Sequence, residues 1–237
     1  MAGVIARALR IAAERVAAPG GLLFTERQLY YELCRVLRPW HLMSRRVPFT
    51  TAPPVSYSDF RRALGPAPGL LPPPAPLGTP GRHTTEPDLF DYGLPRLLVC
   101  QSAAVADMLR ANGLPMESAC PVFSVDDLPL DERVVSMLAR VEGTVYVLHD
   151  ASAAGLAVPG RMPAGVRVSP LGLNHRQAAT LHLTHGRGPD GRFVEVEAVR
   201  PAALLRTVHR LVREVRPQRP QWMVGREVGF MTWPEGA

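Results

Sequence analysis

The chain contains no lysine: all 27 of its basic residues are arginine. Alongside 25 Pro and 20 Gly in 237 residues, that bias suits a GC-rich coding sequence, so arginine content alone carries no function. Cysteine is nearly missing. Cys34, Cys100 and Cys120 are odd in number, far apart, and include no CxxC pair. A disulfide framework or zinc ribbon is thereby excluded as the organising principle, and a reducing cytoplasm is the expected compartment. No apolar run approaches the ~20 residues that span a bilayer. Arg7, Arg10, Glu14 and Arg15 interrupt the N-terminal stretch, so no signal peptide and no membrane partner are expected. Also missing are a Walker loop, a Rossmann glycine fingerprint, HExxH and GxSxG. His182 and His185 lack a third ligand for zinc, and the Gly186-Arg187-Gly188 that follows reads as a loop.

What remains is a chain able to fold. Apolar residues make up 46% and charged residues 20%, a balance that excludes global disorder. The length suits one large domain or two small ones, with a core that needs no staples. The net charge of +6 is unevenly placed. Residues 1–63 hold ten Arg and four acids, whereas residues 64–237 hold 17 of each. The whole excess sits in the first quarter, which points either to an anionic partner or to a solvated basic face.

Apolar spacing predicts a helix over 3–18, closed by Pro19-Gly20-Gly21. Thr25-Glu26-Arg27-Gln28 is a capping-box pattern that opens a second helix through about Leu37. Ser56 to Asp59 caps a short third helix over 57–64. Together these make residues 1–65 a basic, winged-helix-like module. Residues 66–80 contain seven prolines and admit neither helix nor central strand, so 66–94 is assigned as a Pro-rich linker.

From Pro95 the pattern becomes α/β. Strands are expected at 96–100, 121–125, 144–148, 166–168 and 193–199. Helices are expected at 102–112, 131–141, 174–183 and 201–215. The alternation predicts a parallel sheet over 95–216, with ligands gathered at the carboxyl ends of its strands. Arg206, His209, Arg210, Arg213 and Arg216 space along the last helix at three and four; they could track phosphates, but a solvated face balanced by Glu214 is the favoured expectation. The tail, 217–237, carries Trp222, Phe230 and Trp233 without a period.

Two constellations could carry chemistry. The first is Arg27-Gln28-Leu29-Tyr30-Tyr31 on the capped helix. A tyrosine hydroxyl can attack a phosphodiester if a base or metal activates it, with an arginine stabilising the charge. The alternative is two rings that simply pack. The second is His149-Asp150-Ala151-Ser152-Ala153-Ala154-Gly155 after the third strand. Asp150 there is either a metal ligand or a cap for the next helix.

In this order the motifs resemble the A subunit of topoisomerase VI and its relative, the meiotic double-strand-break transesterase. Arg27-x-x-Tyr30-Tyr31 is similar to that family's Arg-x-x-Tyr-Tyr motif, which implies Tyr31 as nucleophile with Arg27 near the phosphate. Leu97 to Gln101 lines up with the first strand of a Toprim domain. Asp150 to Gly155 lines up with its Asp-x-Asp-x-x-Gly turn. Val168 to Leu173 resembles its Leu-Gly-Leu segment, and Glu195 to Val199 its Glu-x-Glu-Ala-Leu segment. The resemblance covers about 20–37 and 95–215. It implies a winged-helix-like module followed by a Toprim-like α/β domain, a DNA partner, a homodimer and an ATPase partner subunit.

The departures from the family pattern decide the functional expectation. Gln101 and Ser152 stand where two of the three metal-binding acids are expected, and only Asp150 remains. Mg²⁺ holds poorly on one carboxylate, so the metal site should be weak or lost unless Asp126, Asp127, Glu195 or Glu197 substitutes. The leading expectation is a DNA-binding pseudoenzyme. The alternatives are an active Mg²⁺-dependent transesterase or nuclease using Tyr31, and an interaction scaffold with no nucleic-acid role.

Overall fold

The computed structural model describes residues 2–74 and 93–213. It is a mixed α/β fold built on one four-stranded sheet. Strands β1 (Arg96–Cys100), β2 (Val122–Ser124), β3 (Thr144–Leu148) and β4 (Arg167–Pro170) are all parallel, in the order β2-β1-β3-β4. β3 is buried at every position, as befits a central strand covered on both faces.

The period of two in β1 and β3 sorts side chains into two cores. Leu98, Cys100, Tyr146 and Leu148 face one side, where they join Phe24, Leu29 and Phe60 of the N-terminal segment and Leu204 and Val208 near the C-terminus. Leu97, Val99, Val145 and Val147 face the other side and meet Val134 and Leu138. Those two belong to α6 (Glu132–Arg140). The first face is thus continuous with the helical N-terminus. The N-terminal part, from Ala8 to Phe60, and the sheet share one core.

That N-terminal part consists of α1 (Ala2–Val16), α2 (Glu26–Leu37) and α3 (Tyr57–Ala63). α1 packs Ala8, Ala12 and Val16 inward, at helical spacing. α2 starts with the anticipated capping box: Gln28 N–H donates to Thr25 Oγ1, and Thr25 N–H donates to the Gln28 side chain. Ser56 caps α3 by accepting from Asp59 N–H. Among the described residues of this part, extended pairing is limited to single bridges at Phe24–Leu70 and Thr51–Thr184. Residues 66–74 lie back over Phe24, which donates to Gly69 and accepts from Leu71. Residues 75–92, most of the assigned linker, are outside the described residues, as is the tail 217–237.

Several local expectations need correction. The strand expected at 193–199 does not form. Val194 makes a single bridge to Ala151, and a 3-10 turn then occupies Val196–Ala198 before Pro201 opens the next helix. The backbone turns there because its acidic side chains and amides are committed to distant partners, described below. The loop at 186–188 is instead a small hairpin, β5 (Gly186–Gly188) with β6 (Gly191–Phe193), with Gly191 at positive φ in its turn. The helix expected at 174–183 is α8 (His175–Thr180), which cannot run further because His182 sits at φ 51°. The remaining helices are α4 (Ala103–Ala111), α5 (Leu114–Ser118), α7 (Ala153–Ala157) and α9 (Pro201–Val212). Among the described residues, no helix is long and apolar enough to cross a membrane.

α2 is bolted to the start of α9 by buried charge. Glu32, fully inaccessible, accepts from Arg35 Nη1 at 2.7 Å and from Arg200 Nε and Nη2 at 2.8 and 2.7 Å. Burial pushes its carboxyl up, but Arg200 and Arg35 together outweigh that and hold it below the usual range. Arg35 also donates to the Ala198 carbonyl. Removing the acid would leave the buried Arg35 guanidinium without its partner, next to half-exposed Arg200. Glu32→Ala is therefore expected to cost about 3–5 kcal/mol. Urea denaturation checks this, and a loss below about 1 kcal/mol would show the pair to be solvated.

Candidate functional site

The site lies at the carboxyl ends of β1 and β3, where a parallel sheet collects polar groups. Adjacent strands in register, Cys100 beside Leu148, bring Gln101 next to His149 and Asp150. Gln101 Oε1 accepts from Asp150 N–H at 2.8 Å. Asp150 Oδ1 in turn accepts from Val196 N–H at 2.6 Å. Ala151 and Val194 exchange backbone hydrogen bonds, which fixes the 194–197 turn against this strand end.

Glycine is required twice here by close approach. A Cβ on Gly155 would run into the Asp150 carbonyl and the Gln101 side chain. A Cβ on Gly172 would occupy the space of the His149 ring, which is buried. The glycines of the Asp150–Gly155 turn and of the Leu171-Gly172-Leu173 segment therefore serve the packing of this strand end. Ser152, not Asp150, caps α7, by accepting from Gly155 N–H at 3.0 Å. The cap reading of Asp150 is thereby corrected: its carboxylate reaches across to Val196 instead.

α2 supplies the other half. Arg27 Nη1 donates to both oxygens of Glu195, at 2.8 and 2.9 Å. Tyr31 Oη donates to Glu195 Oε2 at 2.8 Å. Thr25 Oγ1, besides capping the helix, donates to Glu197 Oε1 at 2.8 Å. The Arg27 guanidinium also lies 4.9 Å from the centroid of the Tyr57 ring, and Tyr57 donates to Glu26 at 2.7 Å. Tyr30 points elsewhere, donating to the Val55 carbonyl and packing on Tyr57 and Phe60. Both rings are buried; Tyr30 packs among aromatics, and Tyr31 turns its hydroxyl to Glu195.

The structure brings Arg27, Tyr31, Gln101 and Asp150 into one network, joined by Glu195 and Glu197. Asp127 is not part of it. It accepts from Ser124 N–H and lies beside Arg110 at the end of β2, and Asp126 sits in the same turn. Thr25, noticed only as a cap, and Tyr57 were missed as members. Thr25 and Glu197 stand 172 positions apart, and no local pattern signals such a pairing.

Electrostatically the site is crowded with acid. Burial pushes Asp150 up to about 6, and the Glu195 charge adds to that, while the Val196 amide and Arg27 pull the other way. Burial likewise pushes Glu197 up to about 7, with Glu195 and Asp150 contributing and Thr25 and Arg27 opposing. Tyr31, only 3% exposed, is held far above the ordinary phenol range by burial and by Glu195. Its hydroxyl keeps its proton at neutral pH and faces an internal carboxylate rather than solvent.

These donors do not fit Mg²⁺. The Gln101 oxygen is occupied by a backbone amide and Ser152 Oγ by a helix cap. One oxygen of Asp150 accepts from Val196, and both oxygens of Glu195 are taken by Arg27 and Tyr31. A hard dication needs several free oxygens converging on one point. Among the described residues, no group of three or more His, Cys, Asp or Glu is arranged to hold a metal ion.

The raised acids set a pH dependence. Their folded values exceed the unfolded ones, near 4, so the folded state binds more protons between pH 4 and 7. This contribution is fully present below pH 4 and is lost as pH rises to about 7. Asp150→Asn and Glu197→Gln keep the accepting oxygens, so each should flatten the decline, by on the order of 2 kcal/mol. Denaturant melts at several pH values check this; parallel profiles for variants and wild type would contradict it. No protein-family model, no curated protein and no solved structure matches the chain, so function must be argued from this geometry.

Proposed function

We propose that the chain is a DNA-binding protein of the topoisomerase VI A and meiotic transesterase type, with its reactive centre turned into a structural joint. The observation that supports the family reading is a convergence. The Arg27-x-x-Tyr30-Tyr31 helix and the Asp150 turn, about 120 positions apart, meet at the carboxyl edge of one parallel sheet, through Glu195. On this reading residues 1–65 are the winged-helix-like module, and 95–216 a degenerate Toprim-like domain.

The same contacts argue against cleavage. Tyr31 would have to leave Glu195 and the core to reach a phosphodiester, and would then need a base able to take a proton it holds tightly. Neither Gln101 nor Ser152 contributes charge toward a metal that would help. What is left for function is attraction. Arg7, Arg10, Arg15, Arg38, Arg45 and Arg46 are exposed and make no ion pair among the described residues. Six cations on one quarter of the chain suit a phosphate backbone.

The rival with an observation in its favour is the active transesterase, because Glu195 accepts from the Tyr31 hydroxyl and Glu197 acts on it as well. Incubation of supercoiled plasmid with Mg²⁺, Mn²⁺ or EDTA separates the readings. The expected result is salt-sensitive binding, no nicking, and unchanged binding by Tyr31→Phe. Metal-dependent cleavage with protein joined to 5′ ends, lost in Tyr31→Phe, would overturn the structural-joint reading. Absence of binding at low salt would remove the nucleic-acid role and favour a scaffold.

A further inference from the structure

α1 and the segment after α2 meet around a cleft of about 670 Å³. Ile11, Val36 and Leu42 form apolar parts of its lining, and Arg15, His41 and Arg200 supply the polar parts. The segment Arg38-Pro39-Trp40-His41-Leu42-Met43-Ser44-Arg45-Arg46 carries three Arg, one His and no acid. It is also unusually apolar for a surface. Trp40 is 44% exposed and Leu42 77%, although neither lies on a core-facing helix stripe.

The charge in the cleft is one-sided. His41 is held below its usual range by burial first and then by Arg200, Arg35 and Arg15, with Glu32 alone opposing them. Glu32 is already enclosed between Arg35 and Arg200. Three guanidinium groups against one carboxylate leave the cleft positive. The Nδ1 atom of His41 is buried and has no hydrogen-bond partner among the described residues. His41 thus lines the cleft together with Arg15 and Arg200 and keeps a ring nitrogen that the protein leaves unpaired.

From these observations we infer that the cleft between the end of α1 and the 38–43 segment seats a backbone phosphate of DNA, held by Arg15 and His41 with Arg200 behind them. The apolar lining with exposed Trp40 and Leu42 meets the sugar and base faces beside that phosphate. Charge selects the anion, and the aromatic and aliphatic groups select a nucleic acid over a bare polyanion, since bases offer faces to stack on. The inference rests on the DNA-binding reading above and adds the surface that does the binding. It also separates that surface from the Tyr31 site: Arg27 and Tyr31 are committed to Glu195 and are not needed for contact.

The test is binding of a short fluorescent DNA duplex by the full chain across a range of salt, followed by anisotropy. Arg15→Gln with His41→Gln should weaken binding roughly tenfold and lower the log–log salt slope by about 1, the effect of losing one charged phosphate contact. Arg133→Gln, on exposed α6 at the opposite sheet face, should change neither. Trp40→Ala should weaken binding with the salt slope unchanged, since it removes no charge. Thermal melts of each variant keep loss of fold apart from loss of contact. Wild-type affinity in the double variant would overturn this inference and leave the DNA-binding reading standing. No binding by the wild-type chain at low salt would overturn both. Displacement of the DNA by polyglutamate as readily as by unlabelled duplex would also overturn it, by showing a surface for acidic protein.

Discussion

A carboxylate leaving water must find donors, and Glu195 finds them on a helix 164 positions earlier in the chain. Arg27 covers both of its oxygens and Tyr31 adds a third hydrogen bond. Two positions on, Glu197 takes the hydroxyl of Thr25, the residue that starts the same helix. One face of α2 is therefore registered, side chain by side chain, on the turn that leads into α9. The Glu32–Arg200 pair repeats the contact with the charges exchanged: acid on α2, base beyond the turn. Opposite pairs of reversed polarity define a single orientation, because sliding or inverting the helix would oppose like charges. The apolar face of the sheet supplies adhesion, and these two carboxylates supply the register.

This arrangement also explains how a basic quarter of the chain can enter a core. Of its arginines, Arg27 and Arg35 are used inward on Glu195 and Glu32, while Arg61 and Arg62 meet Glu26 and Asp59 at the surface. The exposed remainder flank the cleft at Arg15 or continue along α1 and the 38–46 segment. Internal arginines fix the joint, and external ones create the field that a polyanion would meet. The same residue type thus serves two ends, separated by whether a buried carboxylate lies within reach.

Much of the sheet was legible because its signal is local. Arg96–Cys100 and Thr144–Leu148 read as strands since short apolar runs bounded by turns leave little choice, and Thr25 with Gln28 announces its helix through reciprocal capping. The approach of Tyr31 to the Asp150 strand end has no signal in local spacing, because the turn at 194–197 that links them lies far from both in sequence. The turn at 194–198 reads as a strand because Val194, Val196 and Ala198 alternate with Glu195 and Glu197. That alternation serves another purpose: the acids at 195 and 197 point to α2, and the Val196 amide points to Asp150. Likewise Ser152 acts as a helix cap, a use that any serine at a strand-to-helix turn can adopt.

The Tyr31 hydroxyl and the Glu195 carboxylate hold the α2 helix to the sheet. A double-mutant cycle on stability with Tyr31→Phe and Glu195→Ala isolates this bond, since Phe removes only the hydroxyl. A coupling of about 1–2 kcal/mol in favour of the pair is expected. A coupling indistinguishable from zero, with both single variants folded, would contradict it and leave Tyr31 without a structural partner.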